Sequence, residues 1–124
     1  MKNANYQMIF CVVNAGFSQV VMEAARSAGA RGGTLIHGRG TANKEAEKRF
    51  HIVVQPDKEI VMILVNKEIK DDVMIALNKA VGLETAGQGI AFSVPVDRVV
   101  GISEDNGQEE LKRDNSAGSS GGNL

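Results

Sequence analysis

GQGIAFSVPVDRVVGIS, residues 87–103, joins a two-glycine turn to one apolar strand and then to a second. Glycine lacks Cβ, so Gly87 and Gly89 are free to take positive φ and to turn successive backbone N–H groups toward an anion. Behind them Ile90, Phe92 and Val94 alternate along the chain, the period of a strand with one buried face. A Gly-X-Gly turn before a strand is otherwise ordinary punctuation. The anion reading therefore depends on what the rest of the chain builds around the turn.

Working outward, Ile69, Val73, Ala76, Leu77 and Ala80 recur at helical spacing, with Lys70, Asp71, Asn78 and Lys79 on other faces. Asn66 is the expected cap of this helix and Gly82 its expected end. Before it, residues 59–65 form an apolar run, and Phe50, Ile52, Val53 and Val54 mark another over 49–55. Pro56-Asp57 parts the two runs, which predicts a kink or bulge rather than unrelated strands. The segment TANKEAEK, 41–48, has no apolar periodicity and is a loop or a short solvated turn. Residues 34–37 form a short strand that runs into Gly38-Arg39-Gly40-Thr41.

Further back, Phe17, Val20, Val21, Ala24, Ala25 and Ala28 define a first helix, with Gly29 placed to end it in the left-handed conformation. Residues 6–13 are apolar or β-branched almost throughout, so this strand is expected to be central. The element order is β-α-β-β-α-β. That is the α+β, ferredoxin-like split βαβ, in which right-handed crossovers put both helices on one face of an antiparallel sheet. No third helix remains for the other face, and apolar strands such as EIVMILV predict that association buries it. After Ser103 the composition turns polar and then Ser/Gly-rich, which predicts a domain over 1–103, with a flexible loop near 41–49, and a mobile polar tail over 104–124.

With 14 basic and 15 acidic residues and a formal net charge of -1, the chain has no bulk attraction for nucleic acid or anionic membrane. Any phosphate site has to be local, and its ligand small. The single cysteine, Cys11, excludes an internal disulfide and suits a reducing compartment. It reads as a buried strand thiol, since no neighbour in sequence would lower its pKa. No run approaches the roughly 18 apolar residues of a membrane span, and the N-terminal stretch has no apolar signal core, so the expectation is a cytoplasmic protein without membrane insertion. No nucleophile has a nearby base in sequence and no carboxylate pair has distinctive spacing, which predicts a protein that is not an enzyme.

The continuation PVDRVVGI, taken with the loop and strand before it, resembles the C-terminal region of the PII signal-transduction proteins of nitrogen regulation. The shared order of elements extends the likeness over 6–103. The resemblance implies a homotrimer around a central axis and a small ligand, an adenine nucleotide, in the cleft between subunits. It also implies a loop whose shape changes the grip on a protein target, an enzyme or a transporter. By the same resemblance Gly87, Gln88 and Gly89 present backbone donors to phosphates, Thr34 and the backbone near Leu64 hold the adenine, and Lys58 reaches the charged end. Thr85 adds a hydroxyl, and the turn Gly38, Arg39, Gly40 and Thr41 completes the site.

The chain departs from the family where phosphate charge is normally neutralised. Ile90 stands in place of a lysine, and Gly101 and Ser103 in place of two arginines. Each lost charge-assisted contact typically withdraws ~1.5–3 kcal/mol, so ADP or AMP is expected in preference to ATP. The loop TANKEAEKRF has no tyrosine to receive a nucleotidyl group, and no Arg-Gln pair follows Gly40, so 2-oxoglutarate sensing is not implied. The alternative is a metal-binding trimer like the copper-tolerance proteins of the same architecture, drawing on His37, His51 and Cys11. No i,i+4 or CxxC spacing supports it, and no metal is predicted.

Overall fold

Strands Tyr6–Asn14 (β1), Thr34–Arg39 (β2), Asp57–Asn66 (β3) and Ile90–Val96 (β4) form one antiparallel sheet in the order β2-β3-β1-β4. Helices Ser18–Ser27 (α1) and Lys70–Val81 (α2) complete the βαββαβ order, as the sequence predicts. The computed structural model describes residues 5–41, 48–49 and 56–102. Most of the loop expected near 41–49, the apolar residues Phe50, Ile52, Val53 and Val54, and the tail 104–124 lie outside the described residues.

Strand alternation assigns the two faces. Ile9, Cys11 and Val13 of β1 and Val61, Ile63 and Val65 of β3 point toward the helices, and none is more than 3% exposed. Val21 and Ala25 of α1 and Val73, Leu77 and Val81 of α2 close this core from the other side. β1 is an interior strand, as its uninterrupted apolar run predicts. The opposite parity carries Met8, Phe10, Val12, Ile60, Met62 and Leu64 on the interior strands and Ile36, Ile90, Phe92 and Val94 on the edges. Phe10 and Phe92 are register partners there and stack with ring centroids 5.2 Å apart.

Four expectations are corrected. Ile90, Phe92 and Val94 do not form a buried face within the chain: they lie on the side without helices and are 56%, 48% and 43% exposed. Alternation reveals that a strand has two faces, and only the register with β1 decides which one meets the helices. Asn66 does not cap α2; its Oδ1 accepts from the Glu68 N–H at 3.0 Å, and the helix begins later, at Lys70. Asp71 and Asp72 in the first turn complement the helix dipole in place of a cap. Gly82 ends α2 as expected, in an extended conformation, and Gly29 has the positive φ expected of it, +110°. The second strand expected after β4 reduces, among the described residues, to a bridge at Val99, because Gly101 turns the chain at φ +89°. β2 also continues to Arg39, where Gly38 and Arg39 pair with Lys58 and Asp57 of β3.

Candidate functional site

Antiparallel register brings four strand ends together at one end of the sheet. β1 finishes at Asn14 opposite Lys58, β2 finishes with Gly38 and Arg39 opposite Lys58 and Asp57, and β4 starts at Ile90 opposite Val12. The segment 82–89 crosses this end between α2 and β4. Of the expected site residues, Gly38, Arg39, Gly40, Lys58, Gly87, Gln88 and Gly89 therefore gather here, with Thr85 one turn back in the glycine loop.

Asn14 holds the group together. Its side chain is almost wholly inside, 5% exposed. Lys58 Nζ donates to its Oδ1 at 2.7 Å, its Nδ2 donates to Ala86 O at 3.1 Å and reaches Gln88 Oε1 at 3.5 Å, and its own N–H donates to Gly87 O at 2.9 Å. Lys58 thus has a neutral partner, and the contact is charge-assisted. Just beyond β2, the Gly40 N–H donates to Pro56 O at 2.6 Å, and a Cβ on Gly40 would lie 3.0 Å from Lys58 Cε. The aliphatic stem of Lys58 runs over that glycine. Arg39 and Asp57 pair at 3.3 Å with side chains 74% and 64% exposed, a solvated contact worth ~1 kcal/mol or less.

The glycine loop differs from its expected form in two respects. Gly87 and Gly89 are not at positive φ; Gln88 is, at +48°. The glycines are needed for space instead: a Cβ on Gly89 would collide with Val81 O, and one on Gly87 would press on Val81 Cβ at 3.2 Å. The three backbone donors are also already engaged, two within the loop and one by the last residue of α2. Gly87 N–H donates to Thr85 Oγ1 at 3.2 Å, Gln88 N–H to Thr85 O at 3.0 Å and Gly89 N–H to Val81 O at 2.6 Å. Thr85 Oγ1 in turn donates to Gly82 O at 2.8 Å, so its hydroxyl braces the loop. The buried N–H groups find partners at home because the turn packs against the end of α2.

Thr34 and Leu64 are not brought to this end. Leu64 is six residues along β3 from Lys58, roughly 20 Å at about 3.3 Å per residue, and Thr34 pairs with Met62 beside it. Leu64 lines a separate cavity of about 210 Å³ with Tyr6, Arg31, Asn66, Glu68 and Ile69. Thr41 is exposed at the margin of the described residues. Where the resemblance leads one to expect cations, Ile90 is exposed and Gly101 has open space around it, while Ser103 lies outside the described residues.

Cys11 is buried, and burial raises its pKa to about 11. It is a poor source of thiolate at neutral pH. Exposed His37 pairs in register with Glu59, and His51 lies outside the described residues. Among the described residues no three His, Cys, Asp or Glu side chains gather.

Two polar residues escaped the reading of the sequence. Asn14 is recognisable only as a strand breaker until the register sets it opposite Lys58. Glu59 is 9% exposed and accepts from the Ser18 N–H at 3.1 Å, meeting the N-terminal end of α1 with negative charge. Its signal was present: it shares the parity of Val61, Ile63 and Val65, so it had to point toward the helices.

No protein-family model matches the chain, and no curated protein matches it in sequence. Among solved structures it is similar to PII of Arabidopsis thaliana in a crystal structure with citrate bound, at 19% identity and a TM-score of 0.57. The match covers 83% of this chain and 85% of that one. The likeness establishes a PII-like, ferredoxin-like fold.

Proposed function

We propose that this chain is a non-enzymatic, PII-like regulator. In this reading it forms a homotrimer, senses a small anionic ligand between subunits and signals to a protein target through the loop near 41–49. The observation that carries the reading is the position of Lys58. Its ammonium is held by a neutral amide, at the foot of the glycine loop and beside the strand ends that lead into the other loop. An anion taken up by this cation is felt by both loops.

The distance between Lys58 and Leu64 favours a cleft between copies over a site within one chain. A ligand that meets the glycine loop and also Thr34 and Leu64 needs the last two from a neighbour. The open sheet face, with Ile36, Phe92 and Val94 exposed, supplies the apolar surface for such an assembly. Citrate bound to the Arabidopsis protein is a small polyanion. For this chain we favour an adenine nucleotide, ADP or AMP rather than ATP. The backbone donors of 87–89 are already engaged, and Ile90 and Gly101 add no charge, so little remains to reward a γ-phosphate.

Light scattering combined with calorimetric titration of ATP, ADP, AMP, Cu²⁺ and Zn²⁺ tests this reading. The expected result is a trimer that gives heat with ADP or AMP and binds ATP no more tightly. A monomer at micromolar concentration overturns the assembly, and heat with the metals alone would move the protein to the metal-tolerance reading.

A further inference from the structure

Asn14 has no role in the PII resemblance, yet it touches more of the site than any residue assigned to it. We propose that Asn14 is the positioning residue of the anion site, a neutral tether that fixes the Lys58 ammonium at the foot of the glycine loop without cancelling its charge. The inference rests on reading that end of the sheet as a ligand site.

The hydrogen bonds select a carboxamide. One end of the side chain accepts from Lys58 Nζ at 2.7 Å, and the other donates to Ala86 O at 3.1 Å and toward Gln88 Oε1 at 3.5 Å. An amide of this length does both. A carboxylate of the same size would keep Lys58 but neutralise it, and would turn an oxygen against two oxygens of the loop. At 5% exposure Asn14 has little water to offset that mismatch. Lys58 has no carboxylate partner among the described residues, and the ion pairs of Arg39 with Asp57 and of Lys70 with Asp71 do not involve it. Its stem is confined from the other side by Gly40. Amide and glycine together aim one uncompensated positive charge at the space in front of the loop, where it suits the terminal phosphate of a small polyanion.

The test is Asn14→Asp in the full chain, titrated with pyrophosphate and with ADP over a series of salt concentrations, with thermal melting to verify folding. We expect the folded variant to bind pyrophosphate at least tenfold more weakly. Its affinity should also respond less to salt, as in Lys58→Met, because the attracting charge is gone. A merely structural role for Asn14 would leave the salt response unchanged. Binding within twofold of the unaltered protein, or an undiminished salt response, overturns the inference. So does failure of the unaltered protein to bind either probe. If Asn14→Asp does not fold, Asn14→Ser replaces it: the untethered Lys58 should cost about threefold or more, and unaltered affinity overturns the proposal. Pyrophosphate binding without ADP binding would sink the nucleotide reading and leave the tether standing. ADP binding that ignores both Lys58→Met and Asn14→Asp would do the reverse.

Discussion

On the helix side of the sheet Ile9, Val13 and Ile63 are 0% exposed, whereas on the opposite side Ile90, Phe92 and Val94 remain 56%, 48% and 43% exposed. The strands offer similar apolar residues to both sides, so the difference lies in the cover. Two helices of 10 and 12 residues lie over one face, and no described element lies over the other. A sheet apolar on both faces, with described helices on one, leaves the other face open to a further layer. The helix face therefore holds the core of the described chain, and the open face is the surface on which the proposed assembly would form.

Truncating the core tests the first half of this division. Leu77 is 1% exposed between α2 and the sheet, and Leu77→Ala should cost about 2–5 kcal/mol in urea unfolding, through lost transfer energy and the cavity left behind. The corresponding change on the open face, Phe92→Lys, should act differently. Folding of the single chain should weaken by only about 1 kcal/mol, mainly from the lost stack with Phe10, while light scattering shows the assembly dissociated. An intact oligomer after Phe92→Lys would mean that this face is not the interface.

The same contrast explains what could be read in advance. Periodicities of two and of about 3.6 residues are local, so β1, both helices and the βαββαβ order were legible from side-chain type alone. Which face of β4 meets the helices was not, because it depends on pairing with a strand about 80 residues earlier. The site divides in the same manner. Gly89 signals a special backbone position, but only the packed structure shows that Val81 O requires it, rather than an anion. Asn14 and Lys58 are 44 residues apart, and their contact follows from register alone.

Cys11 probes the helix face without cutting into it. Burial raises its pKa from 9.0 to about 11, so the unfolded chain gives up the thiol proton first. The unfolded state then binds fewer protons than the folded one between those values, and stability falls as pH rises through that window. At 1.36 kcal/mol per pKa unit the loss approaches about 2 kcal/mol by pH 11, and none is expected below about pH 8. Other groups titrate in this range, so the measurement is the difference between the unaltered protein and Cys11→Ala. If the two lose stability in parallel from pH 8 to pH 11, Cys11 is not held protonated by the core.

Ile90 gives the smallest effect and the one closest to function. It starts β4 immediately after Gly89, on the open face, two register steps from the row that holds Asn14 and Lys58. Being 56% exposed, it has room for a longer side chain, and Ile90→Lys would restore a cation near the glycine loop without disturbing the core. A charge-assisted contact to an added phosphate should shift preference from ADP toward ATP by about 1.5 kcal/mol, roughly tenfold. Adding Gly101→Arg should bring little more. Space is open there, but φ is +89°, and a side chain with Cβ loses ~1–2 kcal/mol in a left-handed conformation, offsetting most of a new contact. Competitive titration of the two nucleotides against each variant measures the shift. If the unaltered protein already binds ATP tenfold more tightly than ADP, cations already present, Arg39 or Lys58, supply the missing charge, and the electrostatic account of this site is wrong.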